Sequence, residues 1–239
     1  MSKIHPDEYQ RRSQSGHHRQ HLMTNLVHDH PLSPGPSVLT VWKKSSLSFQ
    51  GTDGFTVFDH CGRLVFRVDN YTRKSWSIAS GRFLLLMDGS GKALLTLKPQ
   101  LLSMQHQWTG YRGENIEQYC FRAFTMRRPT SSLLIPRNTA CEAEVFIGDQ
   151  NVMETSKRRK PDLKAVGSFR RRNCKIIIAA TGQLVAKMSR KRIINTTLLL
   201  SDDVFTLTVQ PGFEPDLVMA LVVILDRICY KTFAPILCS

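Results

Sequence analysis

Residues 217–225, LVMALVVIL, are apolar without interruption and lie between Asp216 and Asp226. Wound as a helix, such a run shows an apolar side chain on every face, so it must be enclosed on all sides or placed in lipid. Nine residues fall well short of the roughly 20 that cross a bilayer, so no membrane span is expected. Pro215 and Asp216 suit a helix start, because proline loses no hydrogen bond there and aspartate meets the positive end of the dipole. A helix over 216–231 would be about 24 Å long. A buried core helix is therefore preferred to a membrane anchor or a buried strand.

The rest of the chain has a different period. From Val38 onward, short runs rich in β-branched and aromatic residues alternate with Gly, Asp, Asn and Ser clusters about 8 to 12 residues apart. Leu64, Phe66 and Val68 alternate with Arg67, and Phe205, Leu207 and Val209 with Thr206 and Thr208, the period of half-buried strands. Strands are expected over 38–43, 46–50, 55–59, 63–69, 74–79, 83–87, 92–98, 104–109, 119–126, 141–147, 174–179, 183–188 and 204–209. Asp59-x-x-Gly62, Asp88-x-x-Gly91 and Ala179-x-x-Gly182 each separate two such runs, marking hairpins whose glycine supplies a positive φ. They lack the oxygen spacing of a calcium loop, and no calcium is expected. The predicted fold is mainly β, a closed antiparallel barrel of about twelve strands around a central hydrophobic C-terminal helix.

Residues 1–36 hold six of the eight histidines and end on Pro31, Pro34 and Pro36, reading as a disordered leader with no spacing for a metal. The six cysteines are scattered and never form CxxC, so neither a zinc site nor a disulfide framework is expected. There is no apolar signal stretch, Ser2 stands where myristoylation needs glycine, and Cys238 makes no CaaX box. The expected location is cytoplasmic or nuclear, or peripheral at the plasma membrane. Neither GxSxG, HExxH nor a P-loop occurs, so no catalytic residue, no cofactor and no enzyme activity is expected.

Charge gives the functional lead. The chain carries 33 Lys and Arg against 19 Asp and Glu, a formal +14. Between Ser156 and Arg192, thirteen cations are opposed by Asp162 alone, so +12 of that +14 arises locally. Arg170, Arg171, Arg172, Lys187, Arg190, Lys191 and Arg192 are the candidate site for anionic phospholipid headgroups. Lys157, Arg158, Arg159 and Lys160, followed by Pro161, read as a nuclear import signal. Sequence-specific DNA reading is not expected, because the only long helix is apolar and no basic helix is available for the major groove. A solvated charged face with no ligand is the competing account.

The stretches LTVWKKS (39–45), DGFTVFDHCGRLVFRVDNY (53–71), LLLMDGSGKALLTL (84–97) and DVFTLTVQPGFEPDLVMALVVILD (203–226) closely resemble the LURP-one-related family of plants. The resemblance implies a tubby C-terminal-like fold, twelve strands around a central helix, related to phospholipid scramblases and to membrane-tethered transcription regulators. It also implies a link to plant defence, and it brings no catalytic residues. The resulting division is a leader over 1–36, a barrel domain over 37–232 with a basic loop at about 150–172, and a tail over 233–239.

Overall fold

Alternation along the strands fixes what faces inward, and the computed structural model closes that inward face into a ring. It describes residues 35–43, 54–71, 83–100, 103, 105–113, 122–129, 141–148, 159–191 and 203–230. Among the described residues are twelve strands: β1 (Ser37–Lys43), β2 (Phe55–Phe58), β3 (Leu64–Tyr71), β4 (Phe83–Asp88), β5 (Ala93–Pro99) and β6 (Trp108–Arg112). They continue as β7 (Arg122–Arg127), β8 (Cys141–Ile147), β9 (Leu163–Ser168), β10 (Asn173–Ile178), β11 (Leu184–Arg190) and β12 (Val204–Val209). Each pairs antiparallel with its sequence neighbours, and β1 pairs with β12 to close the barrel. Closure leaves no open edge, which a sheet of this size must otherwise protect.

Helix α1 (Pro215–Tyr230) fills the barrel. Every residue from Leu217 to Leu225 is at most 4% exposed. The apolar run thus meets Leu86, Leu97, Phe124, Val145, Ile176 and Leu207, all inward-facing strand residues of one continuous core. At the helix start, Arg112 at the end of β6 bonds both Glu214 and Asp216, and Asp216 Oδ1 accepts the amide of Leu217 at 2.7 Å. Asp216 satisfies one free amide, and both acids sit at the positive dipole end.

The two Asp-x-x-Gly turns are built alike. Asp59 Oδ1 accepts the amides of Cys61 and Arg63, Asp88 Oδ1 those of Ser90 and Lys92, and Gly62 and Gly91 take φ of 76° and 94°. These carboxylates serve the turn itself. Gly182, with φ 75°, does the same work where Ala179 replaces the aspartate. All three hairpins carry a register shift one step before the turn, at Val57/Phe58, Leu86/Met87 and Ile176/Ile177.

Some boundaries differ from expectation. β9 crosses the segment expected to be a basic loop over 150–172. Its short LKAVGS run, interrupted by Lys164 and Gly167, has too weak an alternation to stand out among the surrounding cations. β6 begins at Trp108 and runs through Gly110, whereas 104–109 was expected. A Cβ at Gly110 would sit 2.4 Å from the Phe124 ring, so the glycine marks a close approach within the strand rather than its end. The strands expected over 46–50 and 74–79, and the 1–36 leader apart from Gly35 and Pro36, lie outside the described residues, as does the tail over 233–239.

Candidate anionic-surface interface

Because the strands alternate in direction, the β9–β10 turn, the ends of β1, β7 and β11, the start of β8 and the C-terminus of α1 share one end of the barrel. The helix leaves carbonyls and a negative dipole end there, and cations are drawn to both. Arg128 bonds the carbonyl of Ile228, and Arg170 bonds that of Cys229 through Nε at 3.1 Å and Nη2 at 2.7 Å. Lys43 lies 3.0 Å from the buried Asp226 carboxylate.

Three consecutive arginines take three roles. Arg170 caps the helix as described. Arg171 is exposed, and its carbonyl accepts a bond from Arg190 Nε at 3.3 Å. Arg172 turns inward: it is 1% exposed, with its guanidinium 4.7 Å from the Phe169 ring centroid and 4.4 Å from that of Phe205. The two rings meet edge to face at 6.4 Å, so the cation closes an aromatic plug. Its φ of 53° is what aims it there. Arg172 is therefore corrected from a candidate headgroup ligand to a core residue. Three arginines in a row carry no signal that one of them points inward.

The neighbouring Glu142 receives the amide of Phe169 at 3.0 Å on both carboxylate oxygens and the thiol of Cys229 at 3.1 Å. Burial, with the Glu142 charge beside it, pushes the Cys174 thiol up from its ordinary 9.0 to about 12, and the Cys229 thiol up as well. Such thiols are poor nucleophiles. Cys61, Cys141, Cys174 and Cys229 are all free. Among the described residues, no three His, Cys, Asp or Glu side chains converge to hold a metal ion.

On the outer wall, sheet register does what sequence spacing cannot show. Lys187 on β11 lies directly opposite Lys175 on β10, and both are exposed. On its other side Lys187 faces Thr208, which in turn faces Val38. Arg190 and Lys191 continue the basic side toward the helix C-terminal end, where Lys191 Nζ donates to Thr40 Oγ1 at 3.2 Å and ties the exit of β11 to β1. The strands β10, β11, β12 and β1 contain not one acidic residue, and of their cations Lys175 and Lys187 face outward while Lys43 turns in to Asp226.

The structure thus brings Arg170, Arg171, Arg190 and Lys191 together at one end, with Lys187 on the adjoining wall. Lys175 was not among the candidates. The signal that could have found it is its shared alternation with Lys187, each flanked by inward residues: Cys174 and Ile176 in one strand, Ala186 and Met188 in the other. Arg192, Lys157 and Arg158 lie outside the described residues. Arg159 is at the opposite end of the barrel, where its Nη2 donates to the Ile147 carbonyl and to Asp162 Oδ2, both at 2.9 Å. It also lies 5.9 Å from the Phe146 ring, whose centroid Arg127 approaches to 4.6 Å. Lys160 beside it is exposed.

A barrel of twelve neighbour-paired strands around an apolar C-terminal helix is distinctive enough to compare with known proteins. The sequence model of the LURP-one-related family matches residues 37–226, from the first strand into the central helix. The chain belongs to the LURP-one-related family. Protein LURP-one-related 5 of Arabidopsis thaliana is 39% identical over 207 residues, covering 85% of this chain and 88% of its own. Protein LURP-one-related 12 of the same plant is 36% identical over 190 residues, 77% and 75% of the two chains. An X-ray structure of an Arabidopsis thaliana protein superposes with a TM-score of 0.54 at 22% identity, covering 86% of this chain and 96% of that one. That likeness supports the fold. Among the described residues, no helix is long and apolar enough to cross a membrane.

Proposed function

We propose that this LURP-one-related protein is a non-enzymatic adaptor whose β10–β11–β12–β1 wall and adjoining β9–β10 turn hold anionic phospholipid headgroups, with phosphoinositides the preferred class. The observation that carries the reading is Lys175 opposite Lys187 on a four-stranded wall without an acid. Like charges placed directly across a sheet weaken it, and an anion held between them removes the penalty. Cations near an anionic bilayer contribute roughly 1 kcal/mol each, so Arg171, Lys175, Lys187 and Arg190 acting together give measurable adsorption.

A nuclear regulatory role would rest on Lys157–Lys160. Arg159 is tied to Asp162 and the Ile147 carbonyl, so a carrier that grips this run in extended form must first release it. That favours the lipid reading. Sedimentation with phosphatidylcholine vesicles, with and without phosphatidylserine or phosphoinositide, tests it. Binding should need the anionic lipid and fall steeply with salt, since screening acts over about 8 Å at physiological ionic strength. Reversing Arg190, Lys191 and Arg192 to Glu should weaken vesicle binding and leave nuclear entry intact, while neutralising 157–160 should do the opposite. If neither change alters either property, the wall is only a solvated face.

A further inference from the structure

The same wall carries apolar side chains that face water. Trp42 on β1 is 54% exposed and Val38, four residues before it on the same strand, is 43% exposed. Both point outward because Leu39 and Val41 between them point into the core. Trp42 stands opposite Val204 of β12 on one side and Thr56 of β2 on the other. Val38 begins the row that runs across four strands through Thr208 and Lys187 to Lys175. With about 3.3 Å per residue along a strand and about 4.8 Å between strands, Trp42, Val38 and the two lysines fall within a patch roughly 14 Å on a side. Lys191, held at Thr40, lies between the tryptophan and Val38.

A soluble polyanion would satisfy the lysines and leave Trp42 and Val38 in water. A bilayer surface serves both sets, because a tryptophan ring settles at headgroup depth with its N–H still hydrogen bonded, while lysines reach the phosphates beside it. Among the described residues, Val38, Trp42 and Leu64 are the large apolar side chains most exposed, and two of the three are on this wall. The four strands of the wall supply no anion to repel the membrane.

We infer that Trp42 enters the headgroup region of an anionic bilayer when this wall docks, so that the barrel lies on its side with α1 along the membrane plane. The inference rests on the anionic-lipid reading above and adds the anchor and the orientation.

The test uses the full chain carrying Trp76→Phe, mixed with phosphatidylcholine–phosphatidylserine vesicles in which some of the phosphatidylcholine is bromine-labelled. Trp108 is buried in the core and serves as the internal standard. Tryptophan emission should shift to the blue and be quenched by bromine. Adding Trp42→Ala should abolish the quenching and lower vesicle affinity about tenfold, since roughly half of a large aromatic surface loses its apolar contact. Its melting temperature should be unchanged, and Trp42→Tyr should keep most of the binding. Vesicle binding with Trp42 unquenched and Trp42→Ala undiminished would overturn the inference while leaving the lipid reading intact. So would binding that heparin displaces completely with no quenching, which would give the wall to a soluble polyanion. No binding to anionic vesicles at all would remove both.

Discussion

The enclosure of α1 is tested by cutting methyl groups from three helix positions, two of them adjacent. Val218, Val222 and Val223 are each at most 2% exposed, although successive residues of a helix point about 100° apart. Val218 and Val222 share one face and Val223 points about 100° away from Val222, and with every residue from Leu217 to Leu225 buried no face is left for solvent, as an amphipathic helix would require. Val→Ala removes two carbons worth about 0.8 kcal/mol each in transfer, and the unfilled space brings the cost to about 2–3 kcal/mol. For a domain of this size each kcal/mol moves the melting temperature by about 2–4 °C, so each of the three substitutions should lower it by about 5–10 °C. Val38→Ala on the outer wall is the matched control, and its expected cost is within about 0.5 kcal/mol. Val222→Asp goes further, because an unpaired buried carboxylate costs several kcal/mol against a total stability of about 5–15 kcal/mol. It should abolish soluble expression. Thermal and urea unfolding followed by circular dichroism reads all five variants. A Val222→Ala protein that melts with Val38→Ala, or a Val222→Asp protein that folds normally, would refute the central-helix account.

Three further outcomes follow from the same geometry. Arg171→Glu should weaken anionic-vesicle binding at an unchanged melting temperature, whereas Arg172→Glu should lower the melting temperature sharply, because it places a carboxylate between the rings of Phe169 and Phe205; equal effects of the two would contradict their opposite directions. The Cys174 thiol titrates at 9.0 when unfolded and at about 12 when folded, so its contribution is complete below pH 9 and is lost as the pH rises toward 12, the unfolded chain releasing its proton first; the alkaline fall in melting temperature should be shallower in Cys174→Ala. A chain starting at Pro36 should keep its melting temperature, because β1 begins at Ser37, while one starting at residue 44 loses the strand that joins β2 to β12 and should not fold cooperatively.

What could be read from the amino acids alone was whatever depends on one element at a time. The run over 217–225 needs no partner to declare that it must be enclosed, and the helix observed over Pro215–Tyr230 differs from the expected 216–231 by one residue at each end. The Asp-x-x-Gly turns are equally local, since Asp59 and Asp88 bond amides two and four residues away. β9 was missed for the converse reason: Leu163 and Ala165 are inward only because β8 and β10 flank them, and Lys164 lies outside opposite Glu144.

The basic side belongs to this second kind, because the value of a cation is set by direction and register. Lys175 and Lys187 are twelve residues apart in the chain and face each other across two strands, a relation fixed by the bulge at Ile176/Ile177 together with the Gly182 turn. Moving β11 by one residue against β10 would carry Lys187 into the barrel in place of Met188 and leave Lys175 facing no lysine. The arginines 170–172 show the limit most sharply, since net charge counts them equally while the turn sends one to the helix carbonyls, one to solvent and one between two rings. A local charge of +12 therefore overstates what any ligand can meet: Arg172 is inside, Arg159 is bound to Asp162, and Arg170 is engaged with Cys229. On the outer wall the exposed charge comes from Lys175 and Lys187, whose neighbours along the strand point inward. By the same rule Trp42, hidden in the sequence between Val41 and Lys43, stands on the surface beside them.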